Sequence, residues 1–354
     1  MKIAIDCRLI GQSGIGTFIE NVIHYMVEST DHEFVLIGNM ERLKPYSQRV
    51  NCCIVECSYG SFTLKELFSF PVSEVNRCDA FFTPNFNIPM GIRVPIFSTI
   101  HDVVFFDVDG ICSPLGKFIR WLYMKRALAI SKTVFTVSEF SKSRIEAIFH
   151  PKCPIYISYS GISQELVEYK RQHAADRKDC KRQLVFLGNL KKQKGIGTLI
   201  AAFEKAKQRG LKDMRLVIIG NMNSKTKDPV IIRFLQKKHQ DIDFISNATN
   251  QQVFDTLAES LALVSPSVYE GLGLPPMEAM YLGTQAVISD ITVYKEIYSD
   301  TNATFFRCGD SDDLCEKLLR LQPQAADLGS MIEKRHNFSS ISSTILNVIW
   351  KCKK

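Results

Sequence analysis

No stretch of the 354 residues stays apolar for the roughly 18–20 positions that a membrane-spanning helix needs, so a helical integral membrane protein is not the expectation. The opening Met1-Lys2-Ile3-Ala4-Ile5-Asp6 is an apolar strand cut off by a charge, without the long apolar core of a secretory leader. Cysteine pairs at metal-binding spacing are missing too. Of the eleven cysteines only Cys52, Cys53 and Cys57 cluster, with no C-x-x-C pair and no histidine at zinc-finger distance. With no leader, reduced thiols and a cytoplasmic protein are expected. The formal charge of +7 comes without a recognised nucleic-acid module or an aromatic-interleaved basic strand, so nucleic acid is not an expected partner.

A chain of this length with 45% hydrophobic and 23% charged residues describes a globular protein of two ordinary domains. Apolar strand patterns at 2–7, 33–37, 80–83, 95–100 and 132–137 alternate with helical ones, and the pattern restarts at 183–188. That alternation predicts two doubly wound parallel-sheet α/β domains facing a central cleft. We divide the chain into 1–165, 166–335 and a C-terminal helix over 336–354 that crosses back onto the first domain; a membrane-touching tail is the rival reading of that helix. Between Lys170 and Lys194 lie nine Lys or Arg and two Asp, a solvated surface or a face toward an anionic ligand.

The most informative stretch runs from Ser265 to Gly283. It reads as a strand at 261–264, a loop, and a helix opening near Pro275, where the missing N–H costs nothing. Gly271 and Gly273 let the backbone approach a bound group, and the free N–H groups of a helix start attract anions or sugar hydroxyls. Glu270 and Glu278, eight positions apart, can grip two sets of hydroxyls on one ligand. Either glutamate alone reads equally well as a partner of the helix dipole.

Four other places carry chemistry. The turn at 8–16 contains Gly11, Gly14 and Gly16 ahead of a helix at 17–27, in the order G-x-x-G-x-G and not as the dinucleotide fingerprint. The strand after it ends on Gly38-Asn39 without the acid that holds a ribose, which disfavours NAD. The strand at 95–100 delivers His101-Asp102 to its carboxyl end, where α/β sheets gather ligands. Lys194 precedes the helix at 196–207 and suits a phosphate. The D-x-D at Asp107–Asp109 recurs at Asp241–Asp243, which makes it weak support for a metal. The helix at 115–130 mixes Lys117, Arg120, Lys125 and Arg126 with Phe118, Trp121 and Leu122, and suits a membrane surface or an ordinary amphipathic role.

Taken together, residues 188–195 and 265–283, with support at 11–16 and 101–102, resemble the retaining GT-B glycosyltransferases of family 4, whose donor signature is E-x7-E around a Gly-rich turn. The resemblance implies a hexosyltransferase with an N-terminal acceptor-binding domain and a C-terminal nucleotide-sugar-binding domain. It assigns Glu278 to the ribose hydroxyls, Glu270 to the transferred sugar, and the backbone of Gly271, Leu272, Gly273 and Leu274 to sugar or phosphate. Lys194, with the Gly14 and Gly16 turn, would face the departing diphosphate, and His101 would position the sugar and the acceptor. Asn189 stands where relatives often carry Arg, and Lys191 or Lys192 would have to replace that contact. No metal or cofactor is implied. The implied partners are a nucleotide-sugar, with GDP-mannose preferred over UDP- and dTDP-sugars, and a saccharide or lipid-linked saccharide acceptor in surface polysaccharide synthesis. A peripheral contact with the inner face of the membrane accompanies that reading. The alternatives are a sugar-nucleotide epimerase, a phosphorylase, or a catalytically silent nucleotide-sugar-binding scaffold.

Overall fold

The computed structural model describes residues 1–29, 31–58, 64–173, 181–220, 232, 240–323 and 328–352. The chain divides into two compact units, Met1–Ser163 with His336–Lys354, and Gln164–Arg335. The sequence-based division at 165/166 therefore falls inside the helix Gln164–Gln172, which opens the second unit.

In the first unit the described strands are β1 (Lys2–Asp6), β2 (Glu33–Gly38), β3 (Cys52–Glu56), β4 (Ala80–Thr83), β5 (Ile96–Thr99), β6 (Thr133–Thr136) and β7 (Ile155–Ile157). They form one parallel sheet in the order β3-β2-β1-β4-β5-β6-β7. The central strands are runs such as Ala80-Phe81-Phe82-Thr83, buried on both faces, as a sheet covered by helices on both sides requires. Order reverses between β1 and β4, which pair with Ile3 opposite Ala80 and Ile5 opposite Phe82.

The second unit repeats the plan with β8 (Lys181–Leu187), β9 (Arg215–Ile219), β10 (Ile242–Ile245), β11 (Ser260–Ser265), β12 (Gln285–Ser289) and β13 (Thr304–Phe306). Its parallel order is β10-β9-β8-β11-β12-β13, with the reversal between β8 and β11. The helical segment expected after Gly220 lies outside the described residues.

The first helix corrects one expectation. It spans Ser13–Met26, so Gly14 and Gly16 stand in its first turn and not in a loop ahead of it. Glycine costs a helix about 1 kcal/mol relative to alanine, which is why the stretch reads as a turn from sequence. The reason for Gly16 is tertiary: a Cβ there would sit 2.2 Å from the Leu9 carbonyl oxygen, whereas a Cβ on Gly14 would meet nothing within 4 Å.

The final helix, Phe338–Cys352, packs on the first one. Ile341, Ile345, Val348 and Ile349 are buried beside Phe18, Val22 and Met26, and the Ser342 hydroxyl donates to the Val22 carbonyl at 3.0 Å. The apolar stripe that could have faced a membrane is thus spent on the core of the first unit, while Trp350 stacks on His32 with ring centroids 6.0 Å apart.

Gly16→Ala should lower the melting temperature through the clash with the Leu9 backbone. Gly14→Ala should leave it unchanged or raise it, by up to about 1 kcal/mol of helix propensity. Paired thermal melts test this, and equal melting temperatures would refute it.

Candidate functional site

In the second unit the two stretches singled out by sequence leave the sheet at the carboxyl ends of β8 and β11, the strands flanking the reversal of strand order. Open α/β sheets bind ligands at such a point. After β8 come Gly188, the exposed Asn189, and a 3-10 turn over Lys192–Lys194. After β11 come Pro266–Gly273 and the helix Leu274–Tyr281, with Pro275 in its first turn.

The two loops are tied together. The Val268 amide donates to the Gln193 carbonyl at 2.8 Å. Gly195 has φ +63°, and a Cβ on it would lie 1.9 Å from the Pro266 carbonyl oxygen, so only glycine allows the loops this close. Gly273, at φ +89°, is pressed by Tyr294 in the same way, with a Cβ position 2.2 Å from Cε1.

This packing brings Lys194 and Glu270 into an ion pair of 2.6 Å, with side chains 19% and 12% exposed. The Ser267 hydroxyl donates to the same Glu270 Oε1 at 2.6 Å. Behind them the Tyr294 hydroxyl meets Ser265 Oγ at 2.7 Å, and the Tyr298 hydroxyl donates to the Gly273 carbonyl. Burial, and then the Glu270 charge, hold Tyr294 well above the usual tyrosine range. Tyr298 is raised in the same direction by burial first and then by Tyr294, Glu270 and Glu278. Both phenols stay neutral, and the charges of both glutamates reach Tyr298.

Glu278 is half-buried in the second turn of the Leu274–Tyr281 helix and differs from Glu270. Burial alone pushes its carboxyl up to about 7, with no base or donor drawing it down. An enclosed carboxylate without compensation costs the fold free energy, and such groups concentrate where a ligand supplies the missing partners. Gly271, Leu272 and Gly273 are buried beside it, and Leu274 begins the helix whose first N–H groups lack intrahelical partners.

In the first unit the corresponding edge carries His101, directly after β5. Its Nε2 lies 3.0 Å from the Pro84 carbonyl, so Nε2 bears the hydrogen and Nδ1 is left as an acceptor. Burial lowers its pKa to about 4, against the smaller opposing effect of the Pro84 carbonyl. Burial thus favours the neutral ring. Phe18 packs edge-on against it at 5.0 Å. Asp102 accepts from the Val104 amide at 3.0 Å and Ser138 caps the helix Glu139–Phe149, which are structural duties.

Sequence reading missed a buried polar cluster at the reversal between β1 and β4. Arg8 forms two bonds to Asp6, at 2.8 and 2.7 Å, and an ion pair with Glu66 at 3.0 Å. Glu66 accepts from Asn87 at 2.5 Å, and Asp6 from Thr83 at 3.1 Å. Burial opposes the Arg8 charge, but Asp6 and Glu66 more than offset it. A charged residue at a strand end is a signal that could have pointed to Asp6 and Arg8; nothing local marks Glu66. The D-x-D aspartates are engaged elsewhere: Asp107 pairs with Arg144 at 2.6 Å, Asp243 with Arg215 at 2.6 Å, and Asp241 with Lys207 at 3.0 Å. Among the described residues no group of three or more metal-ligating side chains comes together.

Between its ordinary pKa of 4.5 and about 7, Glu278 holds a proton in the folded state that the unfolded chain has released. Stability falls as pH rises through that window. Glu278→Gln should therefore melt above wild type at pH 8, with the difference shrinking toward pH 5. Parallel melting curves at the two pH values would refute the shift.

The family model for glycosyl transferases group 1 matches residues 168–340. An uncharacterized glycosyltransferase of Methanocaldococcus jannaschii is 26% identical over 216 residues, 58% of this chain and 54% of that protein. O-antigen chain mannosyltransferase B of Escherichia coli is 25% identical over 230 residues, 61% of this chain and 58% of that protein. The chain spans about half the length of these curated relatives. Among solved structures, sucrose-phosphate synthase from Thermosynechococcus elongatus superposes with a TM-score of 0.73 at 13% identity, covering 99% of this chain and 98% of that one. HepE of Anabaena, in complex with UDP and glucose, gives 0.70 at 15% identity, covering 99% and 100%. At these identities the structural likeness is one of fold, and it extends over both units. Residues 168–340 thus resemble the glycosyl transferases group 1, and the likeness to solved structures shows a two-unit GT-B fold.

Proposed function

We propose that the chain is a retaining hexosyltransferase that moves a sugar from a nucleoside-diphosphate donor to a saccharide or lipid-linked saccharide acceptor in surface polysaccharide synthesis. The observation that carries this reading is the pairing, at one switch point, of a compensated acid–base couple, Lys194–Glu270, with the uncompensated carboxyl of Glu278. GDP-mannose is the preferred donor, supported by relatives whose names are those of O-antigen mannosyltransferases.

Each role follows from the chemistry of the side chain. Ionised Glu278 accepts hydrogen bonds from two ribose hydroxyls, which supply the partners the protein withholds. Glu270 takes hydroxyls of the transferred sugar, and the N–H groups at Gly271, Leu272, Gly273 and Leu274 take sugar or phosphate oxygens. Lys194 exchanges part of its contact with Glu270 for the diphosphate, whose charge grows as the bond to the anomeric carbon breaks. Gly14, with open space above it, presents the start of the first helix to phosphate; Gly16 serves the close turn behind it. Asn189 contributes an amide where an arginine would add charge, and the exposed Lys191 and Lys192 stand near it in the chain.

The acceptor oxygen forms its new bond on the face the diphosphate leaves, and its proton passes to the departing phosphate oxygen. Neutral His101 accepts a hydrogen bond from a sugar hydroxyl through Nδ1. Fixed charge placed where negative charge develops supplies the main catalytic term, and the reaction runs without metal or cofactor.

In a thermal-shift panel of GDP, UDP, dTDP and ADP, GDP should give the largest stabilisation, since binding acts by mass action. Equal shifts for all four would refute a base-specific site. GDP affinity should rise with pH up to about 7 and then level off. Glu278→Gln should weaken GDP binding and flatten that profile.

Lys194→Ala should cost about 10²–10³ in kcat, the scale for losing one oxyanion donor. The rate should be unchanged by EDTA, and the product should keep the donor's anomeric configuration by NMR. Wild type with no transfer above a Glu270→Ala control, yet still binding nucleotide, would make the chain a silent scaffold.

A further inference from the structure

The helix Pro114–Ile130 has two apolar faces, and only one of them is used. Met124, Ala127 and Leu128 point inward and are buried. On the opposite side Leu115, Phe118, Ile119 and Leu122, at i, i+3, i+4 and i+7, are 68%, 55%, 41% and 46% exposed. That spacing forms one continuous stripe along a helix, and here the stripe faces solvent. Arg126 donates to the Ile88 and Pro89 carbonyls at 2.6 and 3.3 Å, next to the exposed Met90, whose amide bonds Leu67 beside the exposed Phe68. A contiguous exposed apolar patch on a folded protein marks a surface that something covers.

The charge of this segment points to what covers the stripe. Residues 110–138 contain Lys117, Arg120, Lys125, Arg126 and Lys132 and no Asp or Glu; Lys117 and Arg120 turn to the Phe106 and Gly116 carbonyls, while Lys125 flanks the stripe. Phe118 and Trp121 stack at 6.2 Å with their planes 15° apart, and the Lys125 ammonium lies 4.5 Å over the Trp121 ring. Aliphatic side chains to enter hydrocarbon, aromatic rings at headgroup depth, and charge of one sign beside them fit a bilayer interface. Basic side chains near such a surface are drawn to anionic lipid headgroups. We infer that this helix docks the first unit onto an anionic lipid surface. The helix begins at the sheet edge that carries His101, so an acceptor with a lipid tail would be presented to that edge from the bilayer.

The inference does not depend on the donor reading, and its test reads lipid binding alone. The full chain should co-sediment with phosphatidylcholine vesicles containing roughly one third phosphatidylglycerol, and much less with phosphatidylcholine alone. Added salt should weaken the binding. Phe118→Ser with Leu122→Ser should lower the partition coefficient at least about tenfold, the loss expected from two partly inserted apolar side chains. Lys125→Glu with Lys132→Glu should abolish the preference for anionic lipid. Unchanged melting temperatures would show that both double variants remain folded. In a Trp350→Phe background, Trp121 emission should shift to the blue on vesicles. Equal binding to both vesicle types, equal binding by wild type and Phe118→Ser/Leu122→Ser, or no binding at all would overturn the inference. So would a wild-type dimer that the Phe118→Ser/Leu122→Ser variant converts to monomer, because a second copy would then cover the stripe.

Discussion

The parallel pairing of β8 with β11 is the constraint on which the candidate site rests. These strands come from positions far apart in the chain, yet Leu184 stands opposite Ala262 and Val185 opposite Leu263. Their carboxyl ends therefore open side by side, and the connections leave in opposite directions along the sheet. Everything that follows them, Gly188 to Gly195 on one side and Pro266 to Gly273 on the other, is obliged to meet. The absence of a side chain at Gly195 then decides how closely, since the Pro266 carbonyl occupies the place of its Cβ.

Within that frame two carboxylates of the same kind experience opposite surroundings. Glu270 is compensated by Lys194 and Ser267 and forms part of a finished network. Glu278 is enclosed without compensation, so the free protein bears a cost that a ligand's hydroxyls can remove. The tyrosines behind them, Tyr294 and Tyr298, are raised by burial and by these same charges, and act as neutral supports. A ligand that satisfies Glu278 removes that cost, whereas one that draws Lys194 away must give Glu270 new partners.

The first unit solves a different problem. Its reversal point is filled by the Asp6–Arg8–Glu66 cluster, which is paired within itself, and its edge presents a histidine whose tautomer a backbone carbonyl sets. The helix at the end of the chain buries its apolar stripe against the first helix and completes this unit's core. The stripe on Pro114–Ile130 has no such partner among the described residues.

By itself the sequence determined what is local. Short β-branched and aromatic runs bounded by turns specify the strands, so the parallel α/β plan of both units and the positions of Lys194, Glu270 and Glu278 beyond strand ends were legible. Proline and glycine near position 275 marked a helix start because their backbone preferences act within one turn. Tertiary structure alone decided the rest. Gly14 and Gly16 read as a loop, yet lie in a helix, because Gly16 answers to the Leu9 carbonyl. Glu66 joined the Arg8 cluster from a distant segment, and Asp107, Asp241 and Asp243 of the D-x-D pairs were claimed by arginine and lysine partners. The Lys194–Glu270 bond spans 76 positions. Contacts at that range depend on which strand pairs with which, and a one-dimensional pattern of residue types carries the propensity to form strands but not their order.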